Sequence, residues 1–231
     1  MGSFFSDSNP LIRGLTVLCD MAILSIIWLV SSIPIVTIGA STTALYYTTV
    51  KVLRRGKGYV FEQYKHSFKE NFKESTIMWL CCLLVFIIGG VNAYISLTWI
   101  SASFNESMGR VFGGIYLGIL LVMYGITIYM FPVLSRFVVG KWNLFKMAML
   151  LSFKHIISTV LLMVITAAAI VGEIYFLLAF PLLAFFTPAA MAMLASLVME
   201  PVLKRYMPED AWADDKRVKE EILLEETEEE S

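Results

Sequence analysis

Four side chains have types and positions that could support chemistry in an apolar setting: Arg13, Asp20, Asn92 and Glu173. Asp20 lies five residues inside the outer end of an apolar run, roughly 7.5 Å deep at a helical rise of 1.5 Å. Glu173 lies five residues inside a second run and Asn92 seven inside a third, the latter on the order of 10 Å deep. Three polar groups from three runs thus reach a similar depth. Arg13 precedes Asp20 by two helical turns on the same face and can reach towards it. An ionisable group at that depth costs a few kcal/mol unless it is paired, which makes it a candidate for ligand or proton chemistry. The alternative use is structural, since such groups also bond between helices or reach out to the interface.

Other residues carry weaker signals. Gly114 and Gly118 form a G-x-x-x-G, a spacing that lets helices approach closely, and packing within one molecule is expected over dimerisation. Phe61, Tyr64, Phe68 and Phe72 recur at helical spacing, with Lys65, Lys69 and Lys73 on another face. That pattern suits either an amphipathic helix on an anionic leaflet or a docking surface for a partner. Glu200, four residues before Lys204, reads as a structural charge near a helix end. Cys19, Cys81 and Cys82 sit in apolar runs as small hydrophobes. His66 and His155 have no ligand-like neighbours, so neither a metal nor another cofactor is expected. Asn105-Glu106-Ser107 matches a glycosylation sequon, meaningful only in a eukaryotic secretory pathway. No phosphate-binding loop, dinucleotide fingerprint or hydrolase elbow occurs, and no enzymatic activity is expected.

The elements that must position these groups follow from composition. Of 231 residues, 58% are hydrophobic and 16% charged, where a soluble domain carries about 25% charged residues. The apolar residues fall in long blocks rather than along one face. Lipid is the solvent that fits, and the absence of strand-like alternation leaves helices. The fold class is therefore all-α: a polytopic membrane bundle of about five transmembrane helices with cytoplasmic amphipathic helices. Spans are expected near residues 15–38, 75–99, 111–133, 156–178 and 187–205, with short cytoplasmic helices at Ser41–Arg55 and Phe61–Lys73. Pro181 and Pro188 mark the last turn. The membrane domain is expected over 1–207 and a separate tail over 208–231. No signal-peptide pattern precedes the first span. No internal repeat of the kind common in transporters stands out.

Charge sets the expected orientation. Sixteen of eighteen Lys and Arg residues lie in the segments after spans one, three and five; only Arg13 and Arg110 lie opposite. This bias predicts an outside N-terminus and a cytoplasmic C-terminus. Residues 208–231 carry eleven acidic and three basic residues, a net of −8, leaving +7 on the rest. The basic excess thus belongs to membrane-flanking loops, and nucleic acid is not an expected partner.

Four segments carry a family resemblance: SSIPIVTIGASTTALYYTTVKVLRRG at 31–56, FKENFKES at 68–75, FPVLSRF at 131–137 and EPVLKRY at 200–206. Together they resemble the YesL family of Gram-positive membrane proteins, a domain of unknown function, over nearly the whole chain to Tyr206. The resemblance implies a bacterial plasma membrane and a setting beside carbohydrate ABC transporters and two-component systems, including pectin-fragment utilisation. It carries no catalytic or binding residues. The expectation is a non-catalytic accessory or regulatory subunit whose partners are the bilayer and ABC permease subunits or a sensor kinase. The alternative is a small transporter or channel using Asp20, Asn92 and Glu173.

Overall fold

A computed structural model describes residues 10–100, 106–137, 141–179 and 185–206, and every described element is helical. The chain runs through α1 (Pro10–Ser32), α2 (Ile38–Thr48), α3 (Val60–Ile95), α4 (Glu106–Arg136), α5 (Lys141–Lys154), α6 (Ile156–Ala179) and α7 (Thr187–Lys204). A 3-10 turn at Ile35–Thr37 leads into α2, and π-helical turns at Thr49–Leu53 and Ser96–Ile100 extend α2 and α3. The all-α membrane bundle is as expected. Among the described residues four helices are long and apolar enough to cross a membrane: Gly14–Ser32, Val60–Trp99, Glu106–Arg136 and Ile156–Tyr175. The fifth expected span forms as α7, within a residue of its expected limits, but it carries Glu200, Pro201 and Lys204 near its end and is not one of the four.

Boundaries differ where water and lipid exchange along one helix. The first span stops at Ser32 rather than reaching 38, because Pro34 sits extended at φ −75° and ψ 119° and biases the residue before it away from helix. Phe61–Lys73 is not a separate helix. It is the first third of α3, which runs unbroken for 36 residues, about 54 Å at 1.5 Å per residue. Hydropathy changes near Ser75, but no proline interrupts the hydrogen-bond ladder there.

The expected cytoplasmic helix at 41–55 is also corrected. It begins at Ile38, and Ala40, Ser41, Thr43 and Ala44 are wholly buried. Small residues make this burial feasible. A Cβ at Gly39 would lie 2.6 Å from both the Ser75 carbonyl oxygen and Trp79 Cβ. On one side of α2, Tyr46 and Val50 join a cluster with Met130, Val133, Leu151 and Leu203. Leu45 and Val52 join a second cluster with Leu24, Val60, Tyr64 and Ala189.

Half of the α4 span is buried (50%), against 11% of α1, 17% of α3 and 11% of α6. The peripheral helices therefore present apolar faces to lipid while α2 and α4 fill the interior. Lipid removes the hydrophobic drive for helix association, so close packing and hydrogen bonds carry it. Gly113 faces Leu97, Gly89 faces Leu120, and Gly125 meets Ser152 and Thr159. Gly114 and Gly118 do not serve packing within the molecule: a Cβ at either would meet open space. Gly113 and Gly125, on the same helix, are the ones that meet other elements.

Candidate functional site

The strongest polar constellation gathers at the end of α7, around Glu200, the residue whose sequence position reads as a structural charge. Glu200 is the only charged residue fully buried among those described, with 4% of its side chain exposed. Its Oε1 accepts hydrogen bonds from Arg136 Nη2 at 2.8 Å, Arg136 Nε at 3.2 Å and the Tyr46 hydroxyl at 3.2 Å. Oε2 accepts from Arg55 Nη2 at 3.3 Å. One turn earlier on the same helix, the Ser196 carbonyl accepts from Arg54 Nη1 at 2.9 Å. Two guanidinium groups from distant segments thus hold the carboxylate. The helix continues through Pro201 to Lys204.

Each arm is set by local structure. Arg136 is the last residue of α4, carried past Pro132. Arg54 and Arg55 follow the π-helical turn, whose Val52 and Leu53 are buried. Tyr46 hangs from buried α2, and burial, followed by the charge of Glu200, pushes its phenol well above its usual range. Among the described residues three guanidinium groups, those of Arg54, Arg55 and Arg136, gather around this one carboxylate and the Ser196 carbonyl. The carboxylate can do little chemistry, because its acceptor positions are largely taken by four donor contacts. It is a clasp joining α2, α4 and α7.

A signal for this site was present in the sequence. Val-Leu-x-Arg occurs three times, at Val52–Arg55, Val133–Arg136 and Val202–Arg205. Each copy falls at a helix end with its Val and Leu buried, and two of the three arginines hold Glu200. The repeat is four residues long, too short to stand out as a duplicated half.

The residues expected to form an outer polar cluster are placed differently. No hydrogen bond or ion pair among the described residues joins Asp20, Asn92 and Glu173. Asn92 donates to the Ile88 carbonyl of its own helix at 2.8 Å. Glu173 instead accepts from the Thr187 hydroxyl, tying α6 to the start of α7. Asp20 is partly buried on α1. The Arg13 side chain, Asn105, Pro181 and residues 208–231 lie outside the described residues.

The aromatic stripe is split. Tyr64 is 4% exposed and its hydroxyl meets Ser31 and the Ser41 carbonyl, while Phe68 packs on the second cluster. Phe61 and Phe72 remain exposed at 61% and 40%. The centre of the stripe is therefore spent inside the molecule, and Lys65, Lys69 and Lys73 stay at the surface. Among the described residues no three His, Cys, Asp or Glu side chains gather as metal ligands.

Residues 21–93 match the model of a family described as a protein of unknown function, DUF624. This is the same family as the YesL family that the sequence resembles. The matched stretch includes Tyr46, Arg54 and Arg55 but ends before Arg136 and Glu200. No curated protein and no solved structure matches the chain.

Proposed function

We propose that this protein is a non-catalytic accessory or regulatory subunit of the YesL type, serving carbohydrate uptake by an ABC permease in a bacterial plasma membrane. Its N-terminus faces outside and its basic loops and C-terminus face the cytoplasm. The observation that supports this reading is the Glu200 clasp. A carboxylate whose acceptor positions are largely taken by Arg55, Arg136 and Tyr46 fixes helix ends in place, which is a structural use of the charge. The side chains that a transport route would need favour the same reading, since Asn92 bonds within its own helix and Glu173 bonds to Thr187. The tie to pectin-fragment oligosaccharides rests on the family resemblance.

The test is purification of the tagged full-length protein in mild detergent, followed by mass spectrometry of what accompanies it. Permease subunits or a sensor kinase should be enriched over an unrelated membrane protein of similar size. Recovery of the protein alone, together with a sugar that stabilises the wild type but neither Asp20→Asn nor Glu173→Gln, would move the assignment to transport.

A further inference from the structure

The loop expected between spans three and four holds a 14-residue helix, α5, with the sequence KWNLFKMAMLLSFK. Its inner face is firmly seated, with Leu144 and Ala148 at 0% exposure and Leu151 at 1%. Its outer face is also apolar: Trp142 is 70% exposed, Leu150 58%, Phe153 58% and Met149 41%. Positions 142, 146, 149, 150 and 153 lie on one side of a helix, so these residues form a single stripe. Lys146 stands in that stripe with its ammonium 5.7 Å from the Trp142 ring centroid, and Lys154 closes the far end, 5.1 Å from the Tyr206 ring. The helix has three lysines and no acidic residue.

An apolar stripe of this size would be costly in water. What covers it is indicated by continuity. Only His155 separates α5 from α6, whose first residues Ile156 and Ile157 are 63% and 84% exposed and begin a membrane-length apolar surface. At its other end α5 follows α4, another membrane-length helix, after four residues. Both ends of α5 are thus tethered where spans leave the lipid. A short helix with exposed Trp and Phe, flanking lysines and no acid suits the zone between acyl chains and headgroups.

We propose that α5 lies in the membrane–water interface and binds anionic phospholipid headgroups through Lys146 and Lys154, with Trp142, Leu150 and Phe153 sunk towards the acyl chains. This stands independently of the subunit reading. It also places the lipid contact on a different helix from the 61–73 stripe, whose central aromatics are used internally.

The test uses the full-length protein in phosphatidylcholine vesicles containing either phosphatidylglycerol or phosphatidylcholine with brominated acyl chains. The Trp142 signal is the difference between wild type and Trp142→Phe. Brominated phosphatidylglycerol should quench it more than an equal fraction of brominated phosphatidylcholine, and high salt should weaken that preference without any substitution. Lys146→Gln and Lys154→Gln should each reduce the relative affinity for the anionic lipid by about fivefold. Lys69→Gln, exposed on α3, should leave it unchanged. A Trp142 signal untouched by either brominated lipid would show that the stripe faces water. Equal quenching by both lipids at low salt would remove headgroup selection, and either result overturns the proposal.

Discussion

At the scale of single residues, the charge of Glu200 decides more than any side chain in the outer half of the spans. Removing one member of a buried ion pair leaves the other uncompensated, at a cost of roughly 3–5 kcal/mol. Glu200→Gln and Arg136→Gln should therefore each lower the melting temperature in detergent sharply. Arg55, more exposed at 24%, should matter less. In a double-mutant cycle, Arg136→Gln with Glu200→Gln should cost clearly less than the sum of the single changes. Additive losses would show that the contact contributes little. Tyr46 supplies a pH signature. Its phenol titrates higher in the folded protein than in the unfolded chain, so its contribution is fully present below about pH 10 and is lost as pH rises from there towards the folded value. The stability gap between wild type and Tyr46→Phe should accordingly narrow in alkaline buffer. A gap that stayed constant would mean that Tyr46 ionises equally in both states.

At the scale of elements, helix packing depends on a few glycines, and which ones is a matter of facing rather than spacing. Gly39→Ala puts a methyl group against the Ser75 carbonyl and Trp79 Cβ, both fixed to the backbone of α3. Overpacking of this kind costs roughly 1–3 kcal/mol, and a lower melting temperature should report it. Gly114→Leu and Gly118→Leu point into open space and should be tolerated, which reverses what their G-x-x-x-G spacing suggests. The same distinction explains how far the sequence could be read. An apolar run located α6 closely, and the proline in the first turn of α7 located its start. The join in α3 was hidden, since Lys65, Lys69 and Lys73 change the solvent without changing the backbone. Helix α2 looked like a surface element because its Ser and Thr residues are polar by type, although they are buried by packing. Helix α5 reads in the sequence as a basic loop, because its lysines speak to orientation and its apolar residues are too few to span. The clasp was least legible of all, since Arg55 and Arg136 stand 145 and 64 residues from Glu200. No local pattern joins residues so far apart, and only the short Val-Leu-x-Arg recurrence hinted at them.

At the scale of the whole molecule, the proposed orientation rests on the sixteen-to-two distribution of basic residues. Alkaline phosphatase fused at Asn105 should be active outside, and a fluorescent protein fused after Ser231 should fold in the cytoplasm. Active phosphatase at Lys141 would invert the arrangement. The clasp then has a meaning in time as well as in space. Synthesis delivers Arg55 first, Arg136 next and Glu200 only with α7, so two guanidinium groups wait without their carboxylate while most of the bundle is already in the membrane. Closure of the clasp therefore has to wait for α7, the only described element that brings the carboxylate.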